Sequence, residues 1–506
     1  MSTATPPAAG PARRSARGGT APGPSAAATP GTTAGPAPAG GLSAAPASAA
    51  SGLGLVVLLT AFFVVTLDFF IVNVALPSMQ ADLGAGGGAV TIWVAGYAIA
   101  VGAFLVLGAR LGDRLGRRRM FLWGLATFTL ASAACGAAPD PASLAVARIA
   151  QGLGAALLTP QVLGTLTATT EGEARVRVLT IYGLTAGLAA VSGQLLGGAL
   201  IDVDLLGLGW RACFLVNVPV GLAALALAGR VVPETRAARR LAIDGPSVAM
   251  LALGLGLLVL PLAEGRERGW PLWCVLAMVA GVVLLADFAL RQRTLARRAA
   301  DPLVDLAMLR DRTFGVGTVL CFVVQTGIAS SFFVLALALQ GGLGLDPLES
   351  GLVFTTLAVG YVGSSIAAPA LQARWGRGLL IAGAGVSALG EAALALTAGQ
   401  AHAGGSVAAL IPGLVVAGVG MGMVFAPSVS LALAETDGAR SGEASGVITT
   451  VQQIGGAVGV ALLAIVFYGA LGDGDVPAAF AAASWCLVGQ SLLVGLLALG
   501  LRRSAG

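Results

Sequence analysis

Residues 109–120 read ARLGDRLGRRRM, and residues 371–380 read LQARWGRGLL. Aligning Gly116-Arg117 with Gly376-Arg377 also matches Arg114 with Arg374, and each stretch follows a long apolar run. A bilayer-crossing helix needs roughly 20 mostly apolar residues. Fourteen runs of that length lie between residues 53 and 501, separated by charge or by Gly/Pro breaks. The two arginine turns follow the second and the tenth run. Runs 1–6 are therefore expected to repeat as runs 9–14, with 7 and 8 an inserted pair. Parallel six-helix repeats are a transporter architecture, with the substrate path at their interface.

Composition agrees. Of 506 residues, 57% are hydrophobic and only 10% charged, against about 25% charged in a soluble domain; mean hydropathy is +0.89. The expected class is an all-α polytopic membrane protein. Residues 1–52 are rich in Ala, Pro and Gly and poor in large apolar side chains, which predicts a disordered cytoplasmic tail rather than a signal peptide. The basic residues are arginine throughout, and with abundant Ala, Gly and Pro this points to a GC-rich bacterial genome and a plasma-membrane protein. The net charge of +5 follows topology and is no sign of a nucleic-acid partner. Cys135, Cys213, Cys274, Cys321 and Cys486 show no CxxC spacing and His402 is the single histidine, so neither a metal nor another cofactor is expected. No phosphate-binding loop is present that would couple ATP.

The arginines fix an orientation. Arg110, Arg114, Arg117, Arg118, Arg119, Arg175, Arg177, Arg230, Arg291, Arg293, Arg374 and Arg377 fall on one set of connections, and both termini join that set; the alternate connections carry mainly aspartate and glutamate. The positive-inside rule puts the arginine set and both termini in the cytoplasm, as an even span count requires. The expected parts are the tail (1–52), a six-helix bundle (53–232), two inserted helices with their loops (233–314), a second six-helix bundle (315–502) and a cytoplasmic end (503–506).

Several stretches, in order, resemble the major facilitator superfamily and within it the fourteen-helix drug:proton antiporters. LDFFIVNVALP (67–77) is similar to that family's first-helix motif and ARLGDRLGRRR (109–119) to the cytoplasmic motif between helices 2 and 3. ARIAQGLGAA (147–156) resembles the helix 4 motif and GLAAVSGQLLGGALI (187–201) the helix 5 antiporter motif. GWRACFLVNVPVG (209–221) and VITTVQQIGGAVGVALL (447–463) are similar as well. Two positions depart: Ala109 stands where the family has glycine, and Gln194 where it has the proline of a Gly-Pro pair. The resemblance implies a non-enzymatic exporter of hydrophobic or amphipathic small molecules, such as drugs, antibiotics or a self-made metabolite, driven by inward protons. A symporter importing a nutrient stays open beside it, and a lipid-acting membrane enzyme is the remote alternative. The expected partners are membrane lipid, protons and a small-molecule substrate, with the protein a monomer.

Asp68 lies 15 residues into a span, ~22 Å along it at 1.5 Å per residue. Arg148, counted from the other end of its own span, comes to about the same level. An aspartate at mid-bilayer costs about 2.5–3.5 kcal/mol on insertion scales, so such acids face a cavity or a partner. A carboxyl that takes up and returns a proton there suits coupling; a static ion pair with Arg148 is the other reading. Glu391 is the second clearly intramembrane acid, a candidate proton or cation site. Asn73, about 140° round the helix from Asp68, is expected to bond a neighbouring helix. Phe69, Trp93, Tyr97, Gln151, Gln194, Gln325, Tyr361 and Gln452 are the candidate substrate-cavity residues. The family implies conformational gating by Asp113, Arg114, Gly116 and Arg117. The four-residue spacing of Gly183 with Gly187, Gly193 with Gly197 and position 194 with Gly198 predicts close helix packing, with Gly187, Gly193, Gly197 and Gly198 foremost.

Overall fold

In hydrocarbon every backbone N–H and C=O must be satisfied within the protein, and a helix does so along a single segment. The computed structural model answers with helices throughout, and among the described residues no strand occurs; it describes residues 52–236, 242–298, 300–400, 407–434, 436, 441–472 and 474–501. The expected 1–51 part of the tail, His402 and the end at 503–506 lie outside these residues. The elements are α1 (Gly52–Leu83), α2 (Gly87–Leu115), α3 (Arg117–Gly136), α4 (Pro141–Thr169), α5 (Gly172–Asp202), α6 (Asn217–Val231, entered through helical turns over 209–215), α7 (Gly245–Glu264) and α8 (Leu272–Arg297). They continue with α9 (Arg312–Leu337), α10 (Pro347–Trp375), α11 (Gly378–Thr397), α12 (Ile411–Leu433), α13 (Ser441–Leu471) and α14 (Val476–Gly500).

Among the described residues thirteen stretches are long and apolar enough to cross a membrane. The helix that falls short is α3, which was expected to count among the fourteen spans. It opens on Arg117, Arg118 and Arg119 and carries Thr127, Thr129 and Ser132. Its place comes from its neighbours: α3 packs chiefly on α4, with further contact to α6 and α2.

Helix packing repeats along the chain. In the first half α4 packs on α2 and α3, α1 on α5 and α6, and α3 on α6. In the second half α12 packs on α10 and α11, α9 on α13 and α14, and α11 on α14. Each pair in the first set has its counterpart eight helices later. The seam between the halves is formed mainly by α2 against α13 and α5 against α10.

That seam is closed at the end opposite the arginine loops. There a continuous apolar cluster joins Leu76, Met79, Trp93 and Trp210 of the first half to Phe332, Leu337, Phe354 and Phe480 of the second. Phe70 meets Phe332 edge-on at 5.4 Å, and Gln340 Nε2 donates to Val74 O at 2.8 Å. Gly198 lies against the Pro347 carbonyl, and a Cβ on Gly351 would stand 2.6 Å from Gln194 O, so α5 and α10 nearly touch backbone to backbone. Toward the arginine-loop end α5 loses this cover, and Leu179, Leu184 and Leu188 are exposed.

The inserted pair sits across the α2/α13 side. α7 packs on α2, α13 and α8, while α8 presents Leu276, Val279, Val282 and Val283 outward. Polar contacts fasten the pair to α2 at both ends. Glu267 Oε1 accepts from Gly88 N at 2.8 Å, and Arg110 donates to the carbonyls of Ala242 (2.7 Å), Asp301 (3.1 Å) and Pro302. Asp244, at the start of α7, takes a two-pronged contact from Arg291 of α8, both at 2.7 Å.

Candidate functional site

Asp68 has no exposed surface, and Arg148 is 1% exposed. An ion so placed needs its hydrogen bonds filled by protein, and the network that does so draws on five helices, α1, α2, α3, α4 and α6. From α4, Arg148 Nη1 donates to Asp68 Oδ2 at 2.7 Å and Gln151 Nε2 to Oδ1 at 2.7 Å; from α6, Asn217 Nδ2 donates to Oδ1 at 2.9 Å. The same Arg148 Nη1 reaches Gln151 Oε1 at 2.5 Å, and Arg148 Nε donates to Trp93 O on α2 at 3.2 Å. Ser132 of α3 accepts from Gln151 Nε2 at 2.7 Å. The guanidinium lies over the Tyr97 ring at 4.3 Å, with Phe214 beyond at 5.7 Å. Arg148 and Gln151, three residues apart on α4, share one face, which is how one helix supplies both donors.

Ser132 and Asn217 were not singled out from sequence. Asn217 stands inside the quoted 209–221 motif, two residues before Pro219, and an amide there was the available signal. Asn73 is a correction: its Nδ2 donates to Phe69 O (3.1 Å) and Phe70 O (3.3 Å) of its own helix rather than to a neighbour.

Glu391 lies elsewhere, inside the second half. It is 3% exposed and accepts from Ser331 Oγ of α9 at 3.1 Å. A small cavity between α9, α11, α12 and α14 opens beside it.

The candidate cavity residues separate into two groups. Trp93, Tyr97, Gln151 and Gln194 are buried and already engaged: Trp93 Nε1 donates to Pro141 O at 2.9 Å, and Gln194 Nε2 to Phe70 O at 3.2 Å. Gln194, standing where the family has proline, thus ties α5 to α1. Phe69, Gln325, Tyr361 and Gln452 keep some exposed surface. Phe69 packs beside Tyr97 at 6.3 Å, so the ring under Arg148 connects to one that faces outward.

In the arginine turn, Gly116 has φ +110°, a value that favours glycine, and its N–H closes α2 on Gly112 O. Arg117 Nη2 meets Asp113 Oδ1 at 2.8 Å and its Nη1 donates to Gly164 O of α4 at 2.8 Å. Arg117 N donates to Thr235 O and Arg118 N to Glu234 Oε1. Arg114 is exposed. These bonds tie α2, α3, α4 and the segment after α6 together within the first half.

Of the glycines, Gly193 packs on Leu67 and Phe70, Gly197 on Ile71, and Gly198 on Pro347. Gly187 and Gly183 are a correction: a Cβ at either would meet nothing within 4 Å. They lie on the uncovered part of α5, where no helix stands opposite.

Comparison with known proteins places this geometry. The family model described as Major Facilitator Superfamily matches residues 58–460. The chain is 40% identical to a probable actinorhodin transporter of Streptomyces coelicolor, covering 80% of this chain and 71% of the relative. It is 38% identical to the puromycin resistance protein pur8 of Streptomyces alboniger, covering 82% of each. With the cephamycin export protein CmcT of Amycolatopsis lactamdurans it shares 36% identity, over 81% of this chain and 83% of the relative. Among solved structures, a POT peptide transporter superposes with TM-score 0.65 at 16% identity, over 90% of this chain and 96% of that one. That likeness speaks to the fold alone.

Proposed function

We propose a proton-coupled exporter of antibiotic-like small molecules, on the premise that this chain belongs to the Major Facilitator Superfamily. Its relatives named above export or confer resistance to antibiotics. One observation carries the mechanism: Asp68 is fully buried, ion-paired to Arg148, and stands in a network linked through Tyr97 to Phe69.

The chemistry follows from the geometry. While Asp68 is ionised, it and Arg148 cancel one another in a medium where a lone charge is costly. A proton arriving on Asp68 leaves the arginine, which cannot shed its own proton, without its counter-charge. The network must then rearrange, and because its members come from α1, α2, α3, α4 and α6, rearrangement moves whole helices. Coupling is the link between that rearrangement and opening of the α5/α10 and α2/α13 seams. Glu391 gives the second half its own proton-exchanging acid. Asp113, Arg114, Gly116 and Arg117 brace the arginine-loop end as the halves rock.

In this reading the bundles are residues 53–232 and 315–502, with 233–314 the inserted part. The arginine loops and both termini are cytoplasmic, the protein is a monomer in a bacterial plasma membrane, and it carries out no covalent chemistry. The substrate is hydrophobic or amphipathic, since Phe69, Tyr361, Gln325 and Gln452 offer rings and amides but no charge.

The test is proton movement in inside-out vesicles energised by respiration, followed with a pH-sensitive dye while lipophilic cations and antibiotics are added. Proton release on addition of a compound, absent in Asp68→Asn, is the expected result. Undiminished release in Asp68→Asn would sink the coupling role. Uptake into whole cells down the proton gradient would reverse the direction.

A further inference from the structure

The cavity beside Glu391 is mostly apolar, with side-chain oxygens from five of its twelve lining residues. Ser331, Ser387, Gln490 and Ser491 line it with the carboxylate, and the remaining lining is apolar. Ser331 Oγ already points at Glu391. Gln490 donates its Nε2 to Val323 O at 2.7 Å, and its Oε1 lies against Gly327, itself part of the lining. Ser387 and Ser491 are both buried. None of the residues lining the cavity from α9, α12 or α14 is ionisable, and among the described residues no arginine pairs with Glu391.

This environment restricts what Glu391 can hold. A carboxylate inside a helix bundle needs a compensating positive charge, and no protein cation supplies it here. The oxygen set suits a hard cation. A monovalent ion cancels the single negative charge, whereas a divalent one would leave a net positive charge in the same low-dielectric place. The room is that of about one water molecule, too small for a hydrated ion or an organic amine.

We propose that the Glu391 cavity is a binding site for a sodium-sized monovalent cation, held by Glu391, Ser331, Ser387, Ser491 and Gln490 Oε1, in competition with a proton on the same carboxylate. This deepens the reading of Glu391 as a proton-exchanging acid and is independent of the direction of transport. Binding and release are the exchange of one cation for one proton, so charge at the site stays balanced. The Asp68 network offers no such place: its carboxylate already receives three donors, one of them a cation.

The experiment uses the purified full-length protein in lipid nanodiscs, weakly buffered, with a pH-sensitive dye. Sodium chloride is titrated in and choline chloride serves as the ionic-strength control. The expected result is proton release with sodium and none with choline, the sodium midpoint rising about tenfold per unit fall in pH where Glu391 holds its proton. Glu391→Gln abolishes the release while keeping the melting temperature. Ser387→Ala and Ser491→Ala, which remove one neutral ligand each, raise the sodium midpoint several-fold and give the answer even where Glu391→Gln does not fold. Equal release with choline, or no sodium-linked release at any pH, overturns the proposal. So does release that persists in Glu391→Gln and vanishes in Asp68→Asn, which assigns the exchange to the other acid. Because no substrate is present, failure here leaves the vesicle assay of export untouched, and failure there leaves this one standing.

Discussion

Among the described residues each half of the molecule buries one acid, and the two are treated in opposite ways. Asp68 receives an arginine, a glutamine and an asparagine from two other helices, and that arginine is in turn held by Trp93 O and Gln151. Glu391 receives one serine hydroxyl and faces a cavity. A buried group with both oxygens engaged by three donors can change only by moving its partners. A group with unused acceptors can change by taking a guest. The helix framework is repeated between the halves, but Asp68 stands on α1 and Glu391 on α11, the counterpart of α3, so the two acids occupy different places in the repeat.

The contrast breaks if removing either acid's surroundings has the same effect. The largest loss is expected at Arg148→Met, which strands a buried aspartate: about 3–5 kcal/mol of stability, read as a fallen melting temperature or loss of folded protein after solubilisation. Asp68→Asn strands the buried Arg148 in turn and sets an amide NH2 against donors from Gln151 and Asn217, so a cost of similar size, about 3–5 kcal/mol, should appear in the same melting assay. Asn217→Ala removes one of those donors and should cost about 1–2 kcal/mol without abolishing coupling. Glu391→Gln strands no cation, so its effect on stability should stay within about 1 kcal/mol; a loss as large as that of Arg148→Met would show a structural pin there after all.

The ion pair between Asp244 and Arg291 sets the lower end of the scale. The hydrogen bond from Arg291 is the main cause holding the Asp244 carboxyl down to about 2 from 3.8. A lowered carboxyl adds stability that is complete above the unfolded value, near 4, and disappears as the pH falls toward 2. The pair lies at the membrane edge, with Arg291 well exposed, so Asp244→Asn should cost below about 1 kcal/mol. The check is the melting gap between the unmodified protein and this variant, constant from pH 8 to pH 5 and closing as the pH falls from about 4 toward 2.

Much of this was legible in the residues. The level match of Asp68 and Arg148 needs only the helix rise and the span ends, and it put the two together before any coordinates. The repeat needed one short turn recurring after runs 2 and 10. What counting could not give is helix rotation. Asn73 and Asn217 carry the same amide in similarly apolar runs, yet one bonds its own backbone and the other crosses to Asp68. The same limit explains the glycines of α5. Gly193 and Gly187 look alike in sequence, but a helix stands opposite the first and none opposite the second. The candidate cavity residues divided for a related reason: an internal amide such as Gln194 turns its Nε2 to a nearby carbonyl when its face is covered.

The modest hydropathy of α3 has a consequence for synthesis. A segment entering the bilayer from the translocon is judged against lipid by its own residues, and α3, with its arginines, threonines and serine, falls below the measure that thirteen other stretches pass. Its stability in the membrane comes from α4, on which it packs most closely and which is made after it. The expected consequence is that α3 inserts together with α4, as a hairpin, and that α3 without α4 fails to insert in a glycosylation-mapping assay. Ser132, which accepts from the Gln151 amide that also serves Asp68, thus belongs to the one helix that falls short of that measure.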